Sequence, residues 1–158
     1  MNTTHESMMT LTADMPMKEI VINGEVYLQR YFAHSLADGT QVWYHRFLRN
    51  DSGQHLHSHS WESRSTILVG RYTEQRSIFG NLCHIQYQPG ENNYIEKETL
   101  HRIIKVEPDT WTMMLVAPGR ADTWHFVEEA GSKVEMPTSP FEWHRDFRSR
   151  NQIEAIEV

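Results

Sequence analysis

The sequence predicts an all-β protein, either a sandwich or a barrel, built from short strands. Segments rich in Val, Ile, Tyr, Phe, Trp and Thr recur along the chain, and turn pairs such as Asn23-Gly24 and Pro89-Gly90 separate them. No long window shows the apolar stripe, with a period of about 3.6 residues, that a surface helix would have. A chain of 158 residues has the usual length of one domain.

Each part of the chain can be assigned from its composition. Residues 1–17 are polar and rich in methionine without a period, so we predict a flexible N-terminal arm there. The folded domain is predicted over residues 18–136. Residues 137–158 begin with two prolines, which disfavour a sheet, and we expect a C-terminal extension that packs on the domain, with a short helix near 141–149 or an irregular tail. The predicted strands cover residues 19–23, 25–33, 41–49, 54–60, 65–74, 82–88, 100–106, 110–117 and 122–127.

Charge and cysteine content exclude several classes of function. The formal net charge is −6 and Lys and Arg form no stripe, which argues against a nucleic-acid binder. No stretch approaches the roughly 20 apolar residues of a membrane span, and the N-terminus lacks the pattern of a signal peptide. Cys83 is the single cysteine, so there is no internal disulfide, and a reducing compartment fits. We therefore expect a cytoplasmic protein that binds neither nucleic acid nor membrane.

Three of the ten histidines alternate along one predicted strand, at His55, His57 and His59. Side chains two residues apart on a strand point to the same face, so alternate imidazoles can bind one ion at about 2.1 Å. The alternative interpretation is a solvated strand face. A further histidine, His101, follows a Pro-Gly turn and an extended polar segment. This order of residues favours a metal site.

The same order resembles the cupin superfamily. The first cupin motif is His-x-His, three or four residues, a glutamate, six residues and a glycine, and the stretch from His57 to Gly70 is similar to it. The second motif places one more histidine on a later strand after a Pro-x-Gly-like turn, as the stretch from Pro89 to His101 does. The resemblance covers roughly residues 40–130 and points to small single-domain bacterial and phage cupins. It implies an antiparallel jelly-roll β-barrel that holds one metal ion, and a homodimer.

One position departs from the first motif. If His57 and His59 are the histidine pair, Ser63 stands where the glutamate is expected, and Glu62 is one residue early. Alternatively His55 and His57 are the pair, Glu62 is in place, and the glycine comes one residue late, which a bulge can absorb. We prefer the first register.

The resemblance implies that His57, His59 and His101 are the metal ligands, with Glu62 or His55 as a possible fourth. Three neutral imidazoles leave two or three open positions on the ion, which is typical of a catalytic site. We expect Fe(II), with Zn(II), Ni(II) and Mn(II) as alternatives, because the softness of imidazole alone does not select among such metals.

Tyr72 and Glu74 alternate with Gly70 on one predicted strand, so they share a face. If that face lines the barrel, Glu74 can act as general base and Tyr72 can orient a substrate. The alternative is that both side chains are solvated.

Four other residues are predicted to bind substrate. By the resemblance, Arg120 and Trp124 lie on the cavity wall, where Arg120 can bind a carboxylate and Trp124 can stack on a planar group; the alternative is a surface arginine that covers an indole. Tyr87 can complete the wall or simply pack. Arg102 follows His101 and points away from the metal unless the strand bulges.

The leading functional hypothesis is a non-haem iron(II) oxygenase, such as a dioxygenase, acting on a small polar or carboxylate-bearing molecule. The first alternative is a non-redox metal-dependent isomerase, lyase or hydrolase in which Glu74, Tyr72 or a metal-bound hydroxide moves the proton. The second is a cupin without enzymatic activity that binds a small ligand.

Overall fold

The architecture is seen in a computed structural model, in which the chain forms thirteen strands and one short helix over the parts described. The described parts are residues 2–22, 24–50, 55–128, 130–138 and 155–157. The elements are α1 (His5–Leu11), β1 (Met17–Ile22), β2 (Glu25–Ser35), β3 (Gln41–Phe47), β4 (Leu56–His57), β5 (Ser63–Val69), β6 (Tyr72–Ile78), β7 (Asn81–Tyr87), β8 (Asn92–Ile95), β9 (His101–Val106), β10 (Thr110–Val116), β11 (Thr123–Val127), β12 (Lys133–Pro137) and β13 (Ala155–Glu157).

Two sheets pack face to face. The seven-stranded sheet has the order β13-β1-β2-β3-β10-β5-β8, and the six-stranded sheet has the order β12-β11-β4-β9-β6-β7. Strands far apart in sequence are neighbours, as β3 and β10 or β4 and β9 are, and the pairs are antiparallel except for β1 with β13. The predicted antiparallel jelly-roll β-barrel is therefore confirmed.

The core lies between the inner faces of the two sheets, by which we mean the faces that point toward each other. Leu28, Phe47 and Ile67 from the seven-stranded sheet pack with Tyr72 and Ile103 from the six-stranded sheet. The rings of Phe47 and Tyr72 have their centroids 5.9 Å apart. Because side chains alternate along a strand, these contacts fix which residues of every strand point inward.

The N-terminal segment differs from the prediction of a flexible arm over residues 1–17. It contains α1, which begins with a capping box in which Thr4 and Ser7 bond reciprocally. Met8 is buried against Trp111 on the outer face of the seven-stranded sheet. A seven-residue helix is too short to show a period in sequence, and it depends on this contact for stability. No helix in the described ranges is long and apolar enough to span a membrane.

The segment 65–74, predicted as one strand, is two strands separated at Gly70. This glycine has φ +74, and a Cβ atom there would lie 2.4 Å from Oγ1 of Thr110. The chain therefore turns where only glycine fits. The short polar strands β8 and β12 were not predicted from composition. The helix expected near 141–149 lies outside the described residues, while β13 pairs with β1.

Candidate metal centre

His57, His59 and His101 converge on the inner face of the six-stranded sheet. His57 on β4 is the register partner of His101 on β9, and the ligand nitrogens of all three rings lie within 4.8 Å of one another. Nε2 of His59 is 3.0 Å from Nε2 of His101. The segment that carries His59 is held by Ser58, whose N–H donates to the carbonyl of His125 and whose hydroxyl accepts from the His125 N–H.

The nitrogens of these rings fit a metal ion. If two nitrogens each lie about 2.1 Å from one ion and the nitrogen–metal–nitrogen angle is about 90°, they are about 3 Å apart. The distance between Nε2 of His59 and Nε2 of His101 is 3.0 Å. Nδ1 of His57 donates to the carbonyl of His55, 2.9 Å away, because a carbonyl can only accept. Nδ1 of His101 is bonded to Glu74. Both rings thus keep the Nε2 lone pair for a metal, and the three histidines can bind one divalent ion.

Burial keeps the imidazoles of His57 and His59 neutral. Burial is the main cause that lowers the pKa of His57 to about 4, and the nearby His101 and Arg30 lower it further. Burial likewise lowers the pKa of His59 well below its usual value, with contributions from the neighbouring histidines and Arg30. Neutral rings at physiological pH are the protonation state that a metal requires.

Glu74 is a fully buried carboxylate that lies behind His101. Its Oε1 accepts from Nδ1 of His101 at 2.5 Å and from the Asn93 amide at 3.0 Å, while Oε2 accepts from Nε of Arg76 at 3.0 Å. Burial raises the pKa of Glu74, but the bond to His101, the bond to Asn93 and the charge of Arg76 together lower it below its ordinary value. Both oxygens are occupied, so the geometry suits a residue that orients His101.

Asn93 links this arrangement across the two sheets. It lies on β8 of the seven-stranded sheet, yet its amide donates to the Tyr72 hydroxyl at 3.0 Å as well as to Glu74. Arg76 donates to the Asn93 side chain at 2.7 Å and to the carbonyl of Tyr94 at 2.9 Å. Burial raises the pKa of Tyr72, so its phenol stays protonated. These bonds hold Glu74 from three sides.

The two residues considered as a fourth ligand are not in the histidine group. Glu62 is exposed, in the segment that precedes β5, whereas Ser63 is buried with a hydroxyl that has no partner. His55 is also exposed, and its ring stacks on Phe126 with centroids 5.6 Å apart. The prediction of Glu62 as a ligand is therefore corrected, because β4 ends at His57 and the irregular chain after it turns Glu62 outward.

Arg120 and Trp124 contact different aromatic rings. Arg120 is exposed, and its guanidinium lies over the ring of Trp61, 5.8 Å from the centroid. The Trp61 ring is in turn 5.0 Å from that of His59. Trp124 is half-buried and packs against Phe126 at 6.3 Å. Arg120 thus lies over an indole beside His59, and that indole is Trp61.

Arg102 lies on the outer face of the six-stranded sheet, whereas Tyr87 lies beside the core. Nε of Arg102 donates to the Gln75 side chain at 2.8 Å on the outer face, so a substrate-binding role for Arg102 is not supported. Tyr87 pairs in register with Tyr72, and their rings are 5.5 Å apart. Tyr87 therefore borders the inner face beside the core.

Three polar residues that the sequence interpretation missed lie in one row on the seven-stranded sheet. Arg30, His45 and Thr112 are successive register partners on β2, β3 and β10. Arg30 lies between Leu28 and Phe32, which both pack in the core, so it shares their inward direction. The alternation along β2 was the only signal in the sequence that could have identified Arg30.

Comparisons with known proteins concern the fold. No protein-family model and no curated protein sequence matches the chain. Among solved structures, a cupin-2 domain from Rhodospirillum rubrum matches with a TM-score of 0.53 and 14% identity, over 73% of this chain and 70% of that one. A cupin 2 conserved barrel domain protein from Rhodopseudomonas palustris matches with a TM-score of 0.52 and 13% identity, over 76% and 74%.

A third structure, Fe(II)-HppE with the alternative substrate (S)-1-HPP, matches with a TM-score of 0.53 and 12% identity. The match covers 67% of this chain and 57% of HppE, so the chain spans less than two thirds of that protein. The resemblance predicted from the histidine motifs is confirmed at the level of structure. The chain has the fold of the cupin superfamily.

Proposed function

We propose that this protein is a metal-dependent cupin enzyme, an Fe(II) oxygenase that acts on a small carboxylate-bearing molecule. The observation that carries the proposal is the convergence of His57, His59 and His101, whose nitrogens lie within 4.8 Å of one another. A site of three imidazoles leaves open positions on the ion, which favours catalysis over a structural role.

The choice of iron is supported by the structure of Fe(II)-HppE, which has a similar fold. Imidazole ligands also suit Zn(II) and Ni(II), so the metal has to be measured. When bound, Fe(II) supplies redox chemistry with dioxygen and attracts anionic groups of a substrate.

The chain's own residues orient the ligands and exclude competing chemistry. Glu74 holds the His101 ring through Nδ1, and Arg76 and Asn93 hold Glu74. We therefore assign Glu74 as a positioning residue in place of the general base predicted from sequence. Tyr72 is placed behind Glu74 through Asn93 and supports the same arrangement.

The non-redox alternative has less support. It requires a proton to move at the substrate, through a side chain or a metal-bound hydroxide, and both oxygens of Glu74 already accept hydrogen bonds from other residues. The hydroxyl of Tyr72 accepts a hydrogen bond from the Asn93 amide. These bonds place both side chains in a buried network, which favours a positioning role for them over proton transfer.

The test begins with elemental analysis of protein purified without a histidine tag. The protein is then loaded with Fe(II) under nitrogen, and oxygen uptake is recorded with a panel of amino acids and other small carboxylates. We expect uptake that depends on both Fe(II) and one substrate of the panel. Stoichiometric zinc that cannot be exchanged, with turnover in the absence of oxygen, would favour the non-redox alternative.

Three other expectations stay predictions. A homodimer, expected from the cupin resemblance, is tested by light scattering coupled to size-exclusion chromatography. The cytoplasmic location is tested by cell fractionation. If a small molecule binds equally well after the metal is removed and no turnover is found, the protein is a binding cupin without enzymatic activity.

A further inference from the structure

The inner face of the seven-stranded sheet carries a half-buried cation, Arg30, that forms no ion pair with a carboxylate among the described residues. Nε of Arg30 is buried and has no hydrogen-bond partner among the described residues. Burial lowers the pKa of Arg30 to about 10, so the guanidinium is still charged at neutral pH. The hydroxyl of Thr112, in the same row, is also buried and without a partner.

This row faces the histidines from the opposite sheet, at the same end of the core. Leu28 on β2 and Ile103 on β9 belong to one core cluster that also contains Phe47. The next inward residue after Leu28 is Arg30, and the inward residue before Ile103 is His101.

The buried carboxylate of the metal centre is already bonded to other residues. Glu74 forms its ion pair with Arg76 and its short bond with His101, so it does not neutralise Arg30. Removing part of a charged group from water costs free energy, and a half-buried cation across the core from a metal centre, with no carboxylate partner in the described ranges, is explained if an anion occupies the space between them.

The charge of the row indicates the kind of anion. Arg30 supplies one positive charge and a planar fork of N–H donors, which matches the two oxygens of a carboxylate. Burial and the charge of Arg30 lower the pKa of His45 well below its usual value, so His45 adds a neutral ring. One cation balances a monoanion better than a phosphonate dianion.

We propose that Arg30, with the hydroxyl of Thr112, binds the carboxylate of the substrate, while a second donor group of the same molecule faces His57, His59 and His101. The site would thereby select small molecules that carry a carboxylate and a metal-binding group a few bonds apart. This inference rests on the metal centre of the proposed function and names its substrate class.

The test is a calorimetric titration of Fe(II)-loaded protein under nitrogen with glycolate, which carries one carboxylate and one hydroxyl. Arg30→Gln is expected to weaken glycolate binding by about thirtyfold or more, since a buried charge pair would lose one partner. Thr112→Val, which keeps the shape, should weaken it by about fivefold. Arg30→Lys should recover part of the loss, because it restores the charge without the fork.

The matched control is Arg64→Gln. Arg64 also has a buried Nε without a partner, but it precedes the inward-pointing Ser65 on β5 and so lies on the outer face. This variant is expected to bind glycolate as the wild type does. Elemental analysis of each variant confirms equal iron content before the titration.

Two results would overturn the carboxylate site. The first is wild-type affinity for glycolate in both Arg30→Gln and Thr112→Val, and the second is binding of methylphosphonate but not of glycolate by the wild type. Neither result bears on oxygen uptake. Conversely, if no substrate drives oxygen uptake but Arg30→Gln weakens glycolate binding, the oxygenase assignment fails and the carboxylate site stands.

Discussion

Glu74 accepts a 2.5 Å hydrogen bond from Nδ1 of His101, and this bond determines which nitrogen of the ring is available to a metal. An imidazole that donates through Nδ1 presents the lone pair of Nε2, and that atom lies 3.0 Å from Nε2 of His59. A carboxylate behind a ligating histidine also makes the ligand more basic. The candidate centre thus extends beyond its three ligands to a buried carboxylate on β6.

The first prediction concerns this bond. Glu74→Gln should weaken binding of Zn(II) by about tenfold to a hundredfold, because the amide keeps a hydrogen-bond acceptor but loses the charge that polarises His101. Affinity is measured by competition with a chromogenic chelator. Glu98→Gln, at an exposed position, is the control and should bind as the wild type does. Equal affinities in both variants would remove Glu74 from the centre.

The second prediction separates the two possible registers of the histidine motif. His57→Ala, His59→Ala and His101→Ala should each lose the metal and stay folded, since each removes one of the three converging rings. His55→Ala should retain stoichiometric metal, because the contact of His55 with His57 is made by its backbone carbonyl. Elemental analysis after dialysis, with circular dichroism to check the fold, is the measurement. Metal loss in His55→Ala combined with retention in His59→Ala would support the other register.

The part of the site that sequence could predict depended on local periodicity. His57 and His59 are two residues apart, and alternation places such residues on one face wherever the chain is extended. Glu62, which is one residue early in the preferred register, was considered as a fourth ligand, but it is exposed, in the irregular chain that follows the end of β4 at His57. The sequence carries no local sign of that ending.

The residues that sequence could not predict depend on pairing between distant strands. Asn93 lies in a polar segment that looks like a turn, and it reaches Glu74 only because β8 pairs with β5 at the edge of the other sheet. Arg30 looks like an outward residue on an amphipathic strand, since charged residues are seldom buried. Alternation places Arg30 on the same face as Leu28 and Phe32, but which face of β2 meets the core depends on its partner strands.

The third prediction concerns stability at low pH. His45 is buried, and burial together with the charge of Arg30 lowers its pKa well below its usual value of 6.5. The other inward groups around it are Thr112 on β10 and His59 from the other sheet. Below pH 6.5 the unfolded chain binds a proton at this residue and the folded chain does not, so stability falls as pH falls toward the folded pKa.

The slope of this loss can reach about 1.4 kcal/mol per pH unit for one proton. In His45→Gln, the free energy of unfolding should change less steeply with pH between pH 6.5 and 5, by an amount that corresponds to about one proton. Urea denaturation of metal-free protein at each pH measures this slope. His84→Gln, at an exposed position on β7, should leave the slope unchanged. A slope that is the same in all three proteins would show that His45 titrates normally in the folded state.

The last prediction concerns the turn between β5 and β6, which sets the directions of Ile67 and Glu74. A Cβ atom at Gly70 would lie 2.4 Å from Oγ1 of Thr110, whose hydroxyl already donates to the Glu107 carbonyl. Gly70→Ala should therefore lower the free energy of unfolding by about 3 kcal/mol or more, from the positive φ and the clash together.

The matched control is Gly80→Ala, because Gly80 also has a positive φ, +79, but a Cβ atom there would meet nothing within 4 Å. That variant should lose only about 1 kcal/mol, which is the backbone part of the effect. Urea denaturation of the two variants and the wild type gives the difference, which isolates the contact with Thr110. If Gly70→Ala is no less stable than Gly80→Ala, the two strands are not separated by a turn that requires glycine, and the alternation from β5 into β6 has to be assigned again.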